Sequence, residues 1–216
     1  MELSDEGHDI AEKIVNIALA HAAESFSKLA NKSITLHSIE IPLEKSFDDR
    51  IDSQLNTSEE LNVLITYIKG EFSAASYLIF TKDAGEVVSK MLSPGTKVSE
   101  EFIDAMLLEV DNILTASVVT QLSNFFDVDI YGDVPDLKKL NKKETEELIQ
   151  ESMKSYPIRY SFKTSFMADD FSVFPHFIWV MPEKFSKSIE LLEKDENKLA
   201  ELESFKDYVE KYLQFN

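Results

Sequence analysis

The sequence predicts an α/β fold in which two copies of a helix–strand–hairpin–helix repeat share one sheet, related by an approximate twofold axis. Three observations carry that prediction. The order of hydrophobic patterns in residues 6–93 recurs in 98–194. At an offset of 96, "NIALAHAAESFSKL" faces "NILTASVVTQLSNF", matching Asn16 to Asn112, Ile17 to Ile113, Ala20 to Ala116 and Ser27 to Ser123. At an offset of 99, "EFSAASYLIF" faces "DFSVFPHFIW". Self-similarity at a long period marks an internal repeat, and because neither half alone would cover its sheet, the two are expected to share a core.

Helical spacing of apolar residues predicts a long helix over residues 6–31. "SITLHSIEI", 33–41, alternates β-branched and polar residues as a strand does. "EKSFDDRIDSQLNTSEE" is a mostly polar stretch and reads as a loop. "LNVLITYIKG" and "EFSAASYLIFT" are strand-like runs meeting at Lys69 and Gly70, the mark of a hairpin. A short helix over 83–92 is stopped by "SPG" at 93–95. The second repeat brings a long helix at 98–126, a strand near 127–132, a charged helix at 140–154 where the first half has its loop, two strands in "YPIRYSFKTSF" and "DFSVFPHFIWVM", and a helix from 183. One domain is expected over 1–194. Residues 195–216 follow as an amphipathic helix, with Leu199, Leu202, Phe205, Val209, Tyr212 and Leu213 at helical spacing.

Composition narrows the function. The 216 residues are 44% hydrophobic, enough for a sizeable core. Net charge is −18, from 22 basic and 40 acidic residues, so phosphate backbones and anionic lipid are repelled at long range and nucleic acid is not an expected partner. With no cysteine, disulfides, thiolate metal sites and cysteine nucleophiles are excluded. The first 20 residues lack a basic segment followed by an apolar core, and no apolar run reaches the ~18 residues of a membrane span; a soluble, cytoplasmic protein without membrane insertion is expected.

Conventional catalytic patterns are scarce. His8, His21, His37 and His176 have no metal-ligand spacing, the five glycines form no phosphate-cradling loop, and no serine sits in a glycine elbow. No metal or cofactor of its own is expected. What stands out is Glu109 and Asn112 in "LLEVDNILTASVVTQLSNFF", three positions apart and so on one helical face, flanked by Ala105 and Ala116. The spacing alone is equally that of two exposed helix residues.

"LEVDNILTASVVTQLSNFFDVDIYGDVPDL" resembles the second active-site helix and following loop of the CheC/CheX/FliY family of chemotaxis phosphatases. That family's signature is Asp or Ser, three residues, Glu, two residues, Asn, twenty-two residues, Pro, and Glu109, Asn112 and Pro135 fall at those spacings. "NIALAHAAESFSKLANKSI" is similar to the family's first such helix and "ITYIKGEFSAASYLIF" to its mid-domain hairpin, so the resemblance runs over residues 9–194. There are departures. Ala105 takes the place of the leading Asp or Ser. In the first repeat Asp9 and Asn16 are present, but Lys13 stands where Glu is expected and Ile39 where Pro is expected, which marks a possible second site as degenerate. Asp111 replaces a small residue and is read as a charge beside the site.

The resemblance implies a phosphatase acting on a phosphorylated CheY-type response regulator, with a CheD-like protein as a possible partner. The regulator brings its own aspartyl phosphate, Mg²⁺ and lysine. An amide both donates and accepts, so Asn112 would hold the attacking water in line, while Glu109 would pair with the regulator's lysine. The alternative, suggested by Ala105, Asp111 and the altered first repeat, is a catalytically silent regulator-binding or flagellar-switch-like module.

Overall fold

The computed structural model describes residues 3–41, 60–168 and 171–213. The polar stretch read as a loop, apart from Glu60, lies outside the described residues.

Helix α1 spans Asp5–Ala30 and helix α3 spans Glu100–Phe126. Their ends are built alike. Ser4 and Ser99 accept hydrogen bonds from the backbone N–H of Gly7 and Phe102, satisfying donors that a first helical turn leaves unpaired. Asn31 and Asp127, offset by the same 96 residues as the helix sequences, terminate them in the left-handed conformation at φ 50° and 51°. Just inside those caps, Ser27 Oγ bonds the backbone of Ile34 and Ser123 Oγ that of Val128, so each serine of the matched pair anchors the chain leaving its helix.

The strands are β1 (Thr35–Ile41), β2 (Leu61–Gly70), β3 (Ala74–Thr81), β4 (Ile130–Gly132), β5 (Asp136–Leu140), β6 (Ile158–Ala168), β7 (Phe171–Val173) and β8 (His176–Met181). They form one antiparallel sheet in the order β1-β6-β8-β3-β2-β4, with β5 also on β2 and β7 on β6. Exchanging β1 with β4, β6 with β2 and β8 with β3 reverses that order onto itself, as a twofold axis between β3 and β8 requires. The first strand of each repeat therefore pairs with the hairpin of the other repeat: β1 on β6 and β4 on β2.

Period-two alternation divides the sheet's side chains between two layers. Leu64, Ile68, Leu78, Phe80, Phe177 and Trp179 join α1, α3, α2 (Lys82–Leu92) and α5 (Glu183–Leu192) in the main core. Leu61, Val63, Ile65, Tyr77, Ile79, Ile178 and Val180 face the other way and are covered by Ile149 of α4 (Lys142–Met153). Gly70 marks a close approach: at φ 118°, a Cβ there would lie 2.2 Å from the carbonyl oxygen of Asp129.

Three details differ from the sequence expectation. "DFSVFPHFIWVM", read as one strand, divides into β7 and β8 at Phe174 and Pro175. "DLKKL" is a strand, held by backbone pairing of Leu61–Ile65 with Asp136–Leu140 although its own side chains are mostly polar. The tail forms two helices, α6 (Glu196–Ser204) and α7 (Lys206–Tyr212), joined at Phe205. Its end is tied back to β1 by a parallel bridge between Leu213 and Leu36.

Candidate functional site

Helix α3 presents two faces. Leu107, Val110, Leu114 and Val118 are buried in the core, while Ala105, Glu109, Asn112 and Ala116 are exposed. Asn112 opens into a groove of about 600 Å³ between α1 and α3, lined also by His21, Ser25, Ala116, Thr120 and Phe205. Glu109 stands one turn away on the same helix, outside the groove's lining. The small side chains of Ala105 and Ala116 leave the backbone of α3 approachable on this side. Pro135 sits in the connection between β4 and β5, half-buried and likewise not in the lining. Beside it Asp133 donates its backbone N–H to Tyr67 O and pairs with Lys69 at 2.5 Å, and this hydrogen bond with Lys69 holds its carboxyl below the usual range.

Asp111 corrects the reading of it as a charge beside the site. It is fully buried on the opposite side of α3, where its Oδ2 accepts a 2.5 Å hydrogen bond from Thr66 Oγ1 of β2 and its Oδ1 has no partner. Burial pushes its pKa up to about 7, against the opposing pull of the Thr66 hydroxyl. Ser76 Oγ lies 3.2 Å from Thr115 Oγ1 and donates weakly to Thr66 O, extending a polar seam between α3 and the sheet.

The first repeat is arranged differently. Asp9 is exposed, but Asn16 is only 8% exposed and its Oδ1 is without a hydrogen-bond partner. The cause is the tail. Helices α6 and α7 lie over this part of α1, enclosing a cavity of about 300 Å³ between Lys13, Asn16 and Ile17 on one side and Leu202, Phe205 and Val209 on the other. Glu203 reaches across to Lys13 at 2.5 Å. The structure thus leaves the Asn112 face open and covers the Asn16 face.

The sequence assigned His21 no part in a site, yet the structure places it in the groove that Asn112 lines. Its ring packs against Tyr208 at 4.7 Å between centroids, and Tyr208 Oη lies 2.9 Å from His21 Nδ1 and 2.8 Å from Glu24 Oε2. Burial lowers the His21 pKa and Glu24 opposes that shift. No spacing signal along the chain connects His21 to Tyr208, 187 residues later.

Among the described residues no group of histidine, aspartate and glutamate side chains is arranged to hold a metal ion, and no helix is long and apolar enough to cross a membrane. No protein-family model matches the chain. Among curated proteins, the CheY-P phosphatase CheC of Bacillus subtilis (strain 168) is 24% identical over 143 residues, covering 62% of this chain and 67% of that one. Among solved structures, Thermotoga maritima FliY superposes with a TM-score of 0.66 at 18% identity, covering 90% of this chain and 98% of FliY. A chain of the FliM–SpeE complex from H. pylori superposes at 0.58 and 10% identity, covering 89% and 98%. The chain is therefore similar in sequence to that CheC and in fold to FliY and to the chain of the FliM–SpeE complex.

Proposed function

We propose that the protein is a CheC-like phosphatase that accelerates hydrolysis of the aspartyl phosphate on a CheY-type response regulator. The observation that carries this reading is the exposure of Glu109 and Asn112 together on one face of α3, with alanines on either side, in a chain related to a CheY-P phosphatase. The regulator would supply the phosphoryl group, its Mg²⁺ and a lysine. Asn112 would place the attacking water, its amide accepting from and donating to that water without exchanging a proton, so that its contribution is positional. Glu109, a turn away, would meet the regulator's lysine with a charge-assisted hydrogen bond and fix the approach. Pro135 would support the loop that follows β4.

The test is the decay of a phosphorylated regulator, with and without the protein, in Mg²⁺. Acceleration that disappears in Asn112→Ala while binding persists, and binding that weakens in Glu109→Lys, are the expected results. A second reading has its own support. Ala105 stands where the signature has Asp or Ser, and a chain of a FliM complex shares the fold. A catalytically silent regulator-binding or switch-like module would bind the regulator and leave its decay unchanged.

A further inference from the structure

Tyr208 has one hydroxyl proton and two polar neighbours. Glu24 is a carboxylate, its pKa lowered chiefly by its hydrogen bond to Lys28, so it can only accept, and the Tyr208 proton goes to it. The 2.9 Å contact between Tyr208 Oη and His21 Nδ1 must then be donated by the imidazole. A neutral His21 is thereby fixed with its proton on Nδ1 and a lone pair on Nε2. His21 lines the groove, and none of the hydrogen bonds among the described residues uses Nε2. The groove's α3 wall contributes only neutral side chains, Asn112, Ser117 and Thr120 among them, so the charged groups around the imidazole are Glu24 and Lys28 on its own helix, with the Tyr208 phenol above it.

We propose that His21 Nε2 is a docking contact of this groove, an acceptor aimed at one hydrogen-bond donor of the bound response regulator and held in that tautomer by Tyr208 of the tail. The proposal rests on the regulator-docking reading above and deepens it. It gives α7 a part in the site, because a helix that covers the first repeat's face also orients a side chain on the second's.

Two amide substitutions separate this from a purely structural role. In His21→Gln the amide oxygen reaches the Nε2 position and the Tyr208 contact is lost. In His21→Asn the amide keeps a donor at the Nδ1 position and nothing replaces Nε2. Binding is measured with CheY-type regulators from the same cell, activated with beryllofluoride and Mg²⁺. His21→Asn is expected to weaken binding about three- to tenfold, the worth of one neutral hydrogen bond, with His21→Gln within about twofold of the natural chain. A structural role predicts the reverse order, with His21→Gln also lowering the thermal midpoint, and that order overturns the inference. In ¹⁵N spectra of the free protein, His21 is expected to be protonated at Nδ1 and unprotonated at Nε2, shifting toward the other tautomer in Tyr208→Phe; a proton on Nε2 in the natural chain also overturns it. If the natural chain binds and His21→Asn binds equally well, this inference alone fails. If the natural chain binds none of the regulators, the docking reading fails with it.

Discussion

Leu78 of β3 is paired across the sheet with Phe177 of β8, and at the repeat offset of 99 each is the other's counterpart in the duplicated sequence. Only a residue on a twofold axis can pair with its own copy. The axis inferred from sequence offsets therefore passes through this pair, in the middle of the main core.

Both side chains are fully buried. Leu78→Ala is expected to cost about 2–5 kcal/mol and Phe177→Ala about 3–5 kcal/mol, each leaving a cavity the core does not refill. Urea unfolding checks this. Because the two touch one another's surroundings, the double variant should depart from the sum of the singles.

Asn112→Ala is expected to remove most of the acceleration of regulator dephosphorylation, tenfold or more, while Asn16→Ala leaves it within about twofold. Lys13→Glu should not rescue Asn112→Ala, because Asn16 stays beneath α6 and α7 and the new carboxylate faces Glu203. The phosphate-decay assay distinguishes the outcomes; equal losses from Asn16→Ala and Asn112→Ala would show that the two faces work alike.

Asp111 makes stability depend on pH. Its folded pKa, about 7, is raised above the ordinary carboxyl value of 3.8, so between those values the folded state binds the extra proton. Its carboxyl imposes no penalty below pH about 4, a growing one as pH rises toward 7, and the full one above that. Asp111→Asn, which keeps the shape and a hydrogen-bonding atom near Thr66, is expected to flatten this part of the profile and to gain stability relative to the natural chain at pH 8 but not at pH 4. Urea midpoints of the two proteins across that range test the sign.

Gly70→Ala is expected to destabilise the protein strongly. The added methyl would meet the Asp129 carbonyl at 2.2 Å, at a φ that side chains rarely adopt, where Glu71 N–H bonds that same carbonyl at 2.9 Å. Gly132→Ala is the control, since its methyl would meet Thr66 and Thr115 side chains at 3.4 and 3.5 Å. Thermal denaturation of the pair should separate them widely.

The repeat architecture was legible because both periodicities and both offsets lie in the sequence, and the matched serine anchors Ser27 and Ser123 were among the paired residues. Strand β5 was hidden because its stability comes from backbone pairing with β2, which "DLKKL" does not advertise. The inward direction of Asp111 was available in principle: it stands four residues after Leu107 and three before Leu114, both buried. The exposure of Glu109 and Asn112 agrees with the face the spacing assigned them. The tail's seat over Asn16 was not legible, because an apolar helical stripe specifies that a face is covered and not which surface covers it.

The crossed pairing of first strands has a consequence for synthesis. Thr35 of β1 takes its place beside Met167, which is added 132 residues later. At ribosomal speeds of about 5–20 residues per second, β1 waits roughly 7–26 s for the strand it pairs with. Throughout that interval the nascent first half carries α1, β1 and the β2–β3 hairpin without the β6 edge and the β8 neighbour that close its sheet. The two repeats thus complete their sheet only together, and a chain halted between them presents open strand edges to whatever it meets.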